Sequence, residues 1–331
     1  MSKKNLLVTT DLIDPANLKR LSGYANVSAS SVLSPEGLEA LLPSVDALMI
    51  FSWPKFLTPE EMARMPRLRF IQSILAGVNH IPFKTLDRRV VVASNAGAYS
   101  GPVAEYAWGF LLAAAKRIVE HHTSLREGNA RLVRHGDAAE GIYMLEKKTL
   151  GILGFGGIGA MVARMSKPFR MRVLGFTSRR RASSPGVTLL SGRRGLERIL
   201  SESDAVVIAL PLTKSTTRII NEDALSKMKG NAVLVNIARG ELVDEAALYD
   251  HLKSHPGFRY ATDVWWYREN RESLETNHNF ASLPNFIGTP HVSGPSGLAT
   301  GVPIKVATDN TMRFLKGKTP ENIVDPTDYT D

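Results

Sequence analysis

The chain has 331 residues, 44% hydrophobic and 22% charged, which points to about two globular domains with real cores and excludes a single small module or a disordered chain. Forty-one Lys and Arg against 32 Asp and Glu leave a formal net charge of +9, which favours anionic partners without choosing between a nucleotide cofactor and nucleic acid. The absence of cysteine excludes disulfide frameworks, thiol nucleophiles, iron–sulfur clusters and zinc sites that need thiolates.

At the N-terminus, Lys3-Lys4 precede an apolar stretch too short for a signal h-region, and residues 6–8 read as a first strand. Further strand candidates at 47–50, 70–73 and 90–92 alternate with helical patterns, the rhythm of parallel α/β layers. Residues 101–128 read as one long helix. Its Val103, Tyr106, Ala107, Phe110, Leu111, Ala114, Ile118 and Val119 spread over more than one face, so it needs cover from a second domain or a second subunit. Six more strands are expected at 150–153, 172–176, 205–210, 233–237, 261–264 and 286–287, enough for a full doubly wound sheet. Between them, residues 178–195 read as a basic loop rich in Arg, Ser and Gly. No stretch approaches the roughly 20 apolar residues of a membrane span, so a cytoplasmic protein without a membrane partner is expected. No DNA- or RNA-binding module is visible, and no nucleic-acid partner is expected. His121, His122, His135, His251, His255 and His278 lack metal-ligand spacing with carboxylates; they read as surface residues, and no metal is expected.

One glycine turn stands out. Gly154-Phe155-Gly156-Gly157-Ile158-Gly159 follows the apolar run at 150–153 and opens a helix-like pattern at 160–166. In that context Gly154 permits the tight turn, Gly156 lets the backbone approach a pyrophosphate, and Gly159 allows close helix–strand packing, with the helix N-terminus attracting phosphate. An NAD-preferring site carries Asp or Glu about twenty residues on, at the end of the second strand. Here Thr177-Ser178-Arg179-Arg180 stand there instead, two hydroxyls and two guanidinium groups suited to a 2′-phosphate. NADP(H) is therefore the expected cofactor, with NAD(H) a possible substitute.

Further on come Asn236-Ile237-Ala238-Arg239-Gly240-Glu241-Leu242-Val243-Asp244, Thr262-Asp263-Val264-Trp265 and Thr289-Pro290-His291-Val292-Ser293-Gly294. Upstream stand Leu75-Ala76-Gly77-Val78-Asn79, Asn95-Ala96-Gly97, Val103-Ala104-Glu105 and Leu210-Pro211-Leu212-Thr213. In this order, from about residue 45 to past 300, the segments resemble the D-isomer-specific 2-hydroxyacid dehydrogenases, of the glyoxylate or hydroxypyruvate reductase type. The resemblance implies an α/β fold of two domains, each a doubly wound, mostly parallel sheet. A Rossmann-type dinucleotide-binding domain, 99–292, would be inserted into a flavodoxin-like substrate domain, 1–98 and 293–331, with a homodimer formed through the helix at 101–128. It also implies that Leu210, Pro211, Ile237, Ala238, Arg239, Asp263 and His291 join the glycine turn in holding the cofactor, Asp263 by accepting from the nicotinamide carboxamide.

Reduction of a 2-oxo acid requires a cation for the carboxylate and ketone, and an acid for the developing alkoxide. Arg239 and His291 have the right chemistry for these tasks. Backbone N–H groups at Ala76, Gly77 and Val78 would complete the carboxylate pocket, and Trp265, Trp266 and Tyr267 are expected to pack in the cleft wall. One departure concerns the acid that pairs with the histidine. The family usually carries Glu five residues after the aspartate, where this chain has Arg268. A shifted loop could present Glu269, the first candidate, or Glu272, the second. Formate-dehydrogenase-like members use Gln there and Asn near position 99; Tyr99 stands at that place, which disfavours the variant. A catalytically weak, cofactor-sensing corepressor or scaffold is the alternative function, against which Arg239 and His291 both argue.

Overall fold

The computed structural model describes residues 3–54, 57–132, 141–177, 184–269, 271–294 and 301–330. The chain divides into two compact units, Met1–Tyr99 with Gly297–Asp331, and Ser100–Ser296.

The first unit begins with β1 (Lys4–Val8), α1 (Pro15–Ser22), β2 (Ala25–Ala29), α2 (Pro35–Leu41), β3 (Ala47–Ile50), α3 (Pro59–Ala63), β4 (Phe70–Ser73) and β5 (Val91–Ala93). Among the described residues these strands form one parallel sheet in the order β2-β1-β3-β4-β5, the flavodoxin-type winding. A parallel sheet covered on both faces needs continuous apolar strands, and Ala-Leu-Met-Ile of β3 is buried at every position. Successive side chains serve opposite faces. Leu48 and Ile50 pack with Leu7, Ile71 and Val92, whereas Ala47 and Met49 pack with Leu6, Val8 and Phe70. Each of α1, α2 and α3 starts at a proline preceded by Asp14, Ser34 or Thr58, whose side chain accepts the N–H of Asn17, Gly37 or Glu61. The edge strand β2, Ala-Asn-Val-Ser-Ala, was not among the expected strands; it is only partly buried and lacks an apolar run.

The second unit holds α4 (Ser100–Ala115), α5 (Ile118–Arg126), β6 (Thr149–Leu153), α6 (Gly157–Met165), β7 (Arg172–Phe176), β8 (Val187–Leu190), α7 (Gly192–Glu202), β9 (Ala205–Ile208), α8 (Glu222–Ser226), β10 (Val233–Asn236), α9 (Glu245–Ser254), β11 (Arg259–Thr262), the hairpin strands β12 (Tyr267–Arg268) and β13 (Arg271–Glu272), and β14 (Phe286–Gly288). The parallel sheet runs β14-β11-β10-β9-β6-β7-β8, and its order reverses between β6 and β9. Such a reversal opens a crevice at the carboxyl ends of the strands.

Three expectations are corrected in this unit. Residues 101–128 are two helices, because Arg117 adopts left-handed backbone (φ 52°) between α4 and α5. The breadth of apolar surface on α4 has intramolecular cover: the helix packs on α6, β10 and β11, and Trp108 donates to the Val162 carbonyl at 3.1 Å and stacks on Phe169. The basic segment 178–195 contains β8 and the start of α7. β8 is an edge strand of four partly exposed residues, too short and wet for a clear pattern. The ring of His251, expected at the surface, stacks on His255 at 4.1 Å and meets Phe258 edge-on, and burial lowers its pKa to about 4.

The last helix, α10 (Gly301–Leu315), belongs to the first unit, where Ile304 and Ala307 enter the core and Asn310 donates to Gln72 at 2.7 Å. Among the described residues no helix is long and apolar enough to cross a membrane, and no three His, Asp or Glu side chains are placed to hold a metal ion.

Candidate active site

The glycine turn joins β6 to α6 beside the sheet reversal. Gly154 has φ 103°, and a Cβ on it would stand 2.5 Å from the Ala209 carbonyl oxygen, so only glycine lets the turn close against the end of β9. A Cβ on Gly159 would stand 2.2 Å from the Gly154 oxygen, which fixes how closely α6 approaches β6. Gly156 differs from both: nothing lies within 4 Å of the position its Cβ would take, and no side chain caps α6 there. Open space before the uncapped N–H groups of a nine-residue helix fits a dinucleotide pyrophosphate. Gly157 is exposed and Ile158 partly buried on the first turn; Leu210 with Pro211, and Ile237 with Ala238, follow the neighbouring ends of β9 and β10. Thr177 closes β7 by donating its N–H to Leu190 at 3.0 Å. Ser178, Arg179 and Arg180 lie outside the described residues.

Arg239, Asp263 and His291 follow the carboxyl ends of three adjacent strands, β10, β11 and β14. The Asn236 side chain shapes the arginine turn, accepting from Ala238 N–H at 3.1 Å and donating to the Arg239 carbonyl at 2.8 Å. Asp263 is fully buried. Its Oδ1 accepts from Thr289 Oγ1 (2.5 Å) and Val292 N–H (2.9 Å), and its Oδ2 from Ser293 N–H (2.7 Å). These bonds tie down the loop that carries His291. That loop needs a tie, since His291 itself holds left-handed backbone (φ 55°).

The carboxylate beside the histidine ring is Glu272, whose Oε2 lies 2.5 Å from His291 Nδ1 while Oε1 accepts the Trp265 N–H at 2.7 Å. The expectation for Glu269 is thereby corrected. Tyr267 pairs with Glu272 and Arg268 with Arg271, so Glu269 falls in the turn of the hairpin, exposed and in left-handed backbone (φ 49°). Arg268 is drawn away from the ring by an ion pair with Glu245 at the start of α9. Ala76, Gly77 and Val78 lie in the first unit on the loop after β4, with Val78 in its core.

The residues 108–293 match the family model described as the D-isomer specific 2-hydroxyacid dehydrogenase, NAD binding domain. A glyoxylate reductase from Aeropyrum pernix is 33% identical over 98% of this chain and 96% of its own. The chain belongs to the D-isomer specific 2-hydroxyacid dehydrogenase family. Similarity extends to a hydroxypyruvate reductase from Thermotoga maritima (32% identical, 82% of this chain and 85% of that protein). A crystal structure of D-lactate dehydrogenase from Aquifex aeolicus, complexed with NAD and lactic acid, superposes with a TM-score of 0.73 at 25% identity, covering 95% of this chain and 96% of that one. As a member of this family the protein is an oxidoreductase of 2-oxo and 2-hydroxy acids that uses a nicotinamide cofactor. Sequence reasoning missed the loop-tying role of Asp263 and ranked the acids in the wrong order. No local pattern signalled the second, which follows from the register of β12 against β13.

Proposed function

We propose that the chain reduces a small 2-oxo acid of the glyoxylate or hydroxypyruvate type to the D-2-hydroxy acid, with NADPH as its reductant. The observation that carries this reading is the contact of Glu272 Oε2 with His291 Nδ1 at 2.5 Å. With the carboxylate on Nδ1, Nε2 is the ring nitrogen left to donate. Relatives named glyoxylate reductase and hydroxypyruvate reductase support the substrate class.

The bound reduced nicotinamide supplies a hydride to the carbonyl carbon. Arg239, always charged and fork-shaped, binds the substrate carboxylate and polarises the ketone. As the carbonyl π bond opens, His291 Nε2 passes its proton to the oxygen and becomes neutral imidazole; solvent then reprotonates it. Glu272 holds the ring, while Asp263 holds the loop. The glycine turn with Leu210, Pro211, Ile237 and Ala238 cradles the dinucleotide, and Thr177, Ser178, Arg179 and Arg180 receive the 2′-phosphate. The active form is a homodimer, built on the exposed apolar residues of α5 and the chain beyond it.

Steady-state rates with glyoxylate, hydroxypyruvate, pyruvate and 2-oxoisovalerate, each with NADPH and NADH, test this reading. Turnover below about 0.01 per second for every pair would assign the protein to cofactor sensing instead. Loss of a charge-assisted phosphate contact costs about 1.5 to 3 kcal/mol, so Arg179→Ala with Arg180→Ala should raise KM for NADPH roughly 10- to 100-fold and leave NADH nearly unchanged. Equal efficiency with the two cofactors in the unaltered protein would remove the NADPH assignment.

A further inference from the structure

Glu241 stands two residues after Arg239, in the short 3-10 turn Gly240–Leu242, and the reaction above gives it no task. Its carboxyl faces the hairpin β12–β13. Oε1 accepts the backbone N–H of Tyr267 at 3.1 Å, and Oε2 is buried without a hydrogen-bond partner among the described residues. The hairpin explains why that N–H is available. In an antiparallel ladder bonded and non-bonded pairs alternate, and the pair beside Tyr267 and Glu272, Trp266 with Ser273, is bonded, so Tyr267 and Glu272 turn their backbone groups outward. The ladder resumes one pair further on, where Ser273 N–H donates to the Trp266 carbonyl at 3.2 Å. Tyr267 therefore presents an edge donor, and Glu241 takes it.

The approach depends on Gly240, because a Cβ there would stand 2.3 Å from the Trp265 carbonyl carbon. The residue directly across the ladder from Tyr267 is Glu272, the one that reaches His291. A single carboxyl on the arginine turn is thus bonded to the strand that faces the histidine's partner.

We propose that Glu241 is a positioning residue: by holding the Tyr267 N–H it fixes the edge of the β12–β13 hairpin and delivers Glu272 to His291. This rests on reading Glu272 and His291 as the proton-donating pair. Burial pushes the Glu241 carboxyl above the usual range, the neighbouring Glu272 charge adds to that, and its own backbone N–H, that of Tyr267 and the Arg239 charge oppose it. The charged groups around it are Arg239 on its own turn and Glu272 on β13, while Arg268 of β12 is bound to Glu245. Such a carboxyl acts here as an acceptor, a task that an uncharged amide oxygen also performs.

The test is kcat/KM for reduction against pH in the full-length protein, with Glu241→Gln, Glu241→Ala and Glu272→Gln. Glu241→Ala should lower kcat about 10-fold and move the alkaline limb acidward by about one pH unit, toward the Glu272→Gln profile, with KM for the cofactor within about twofold. Glu241→Gln keeps the acceptor oxygen and should retain the limb and about a third or more of the rate. Adding Glu241→Ala to Glu272→Gln should change the rate less than about twofold, since both act through one contact. A Glu241→Ala protein with an unmoved limb, whatever its melting temperature, overturns the proposal, as does a Glu241→Gln protein as impaired as Glu241→Ala. If Glu272→Gln itself leaves the limb in place, the proton-donating pair fails first and the inference falls with it.

Discussion

Two carboxylates divide the support of His291. Asp263 fixes its backbone through bonds to Thr289, Val292 and Ser293, and Glu272 meets its ring. Removing the ring's negative partner should weaken acid catalysis without dislodging the loop. Glu272→Gln is therefore expected to shift the alkaline limb of kcat/KM for reduction acidward by about one pH unit and to cost about 10- to 100-fold in rate. Glu269→Gln, an exposed turn residue, should leave both unchanged. A pH–rate profile of the two variants decides between them, and a shift produced by Glu269→Gln would mean that the hairpin rearranges during turnover. Counting five residues from Asp263 led to Arg268, and nothing local could show that the partner lies nine residues on.

A helix terminus carries the pH dependence that His251 confers. The last turn of a helix favours a cation, but the ring of His251 is packed between His255 and Phe258, and desolvation, reinforced by the charge of His255, lowers its pKa from 6.5 to about 4. The unfolded chain then binds more protons than the folded one between those two values. Stability from this group is complete above pH 6.5 and is lost as pH falls toward 4. His251→Phe keeps a ring in the stack and cannot titrate, so its denaturant midpoint should fall less steeply than that of the unaltered protein across this window. Parallel slopes in urea titrations at several pH values would show that the ring is not desolvated. Periodicity in the chain marks α9 as a helix but carries no information about which of its polar side chains meets Phe258 from beyond the C-terminus.

The surface of the second unit bears directly on assembly. Ile118, Val119 and Leu125 on α5, then Leu132, Ile142 and Met144, are exposed, whereas the apolar residues of α4 are mostly buried within the unit. An interface should accordingly centre on α5 and its continuation rather than on one helix spanning 101–128. Light scattering at micromolar concentration should give about 73 kDa, twice the 36.3 kDa of one chain. Ile118→Asp with Leu125→Asp should shift the protein to monomer with its secondary structure intact. A monomeric unaltered protein would leave these residues as scattered surface apolar groups.

What was legible in the chain is what short-range geometry dictates. The glycine spacing at 154–159 is set by steric limits of one turn, and buried strands such as β3 and β9 announce themselves because a parallel sheet covered on both faces demands unbroken apolar runs. Arg239 and His291 stood out through the segments that resemble the family, where their residue types suit the reduction of a 2-oxo acid. Tertiary structure alone decided which carboxylate meets the ring, since that follows from the register of β12 against β13 and from the ion pair that draws Arg268 to Glu245. It also decided the loop-tying place of Asp263, the edge position of β8 and the break at Arg117, all of which depend on groups far along the chain. Packing and hydrogen bonding between such groups leave no periodic trace in the segments they join.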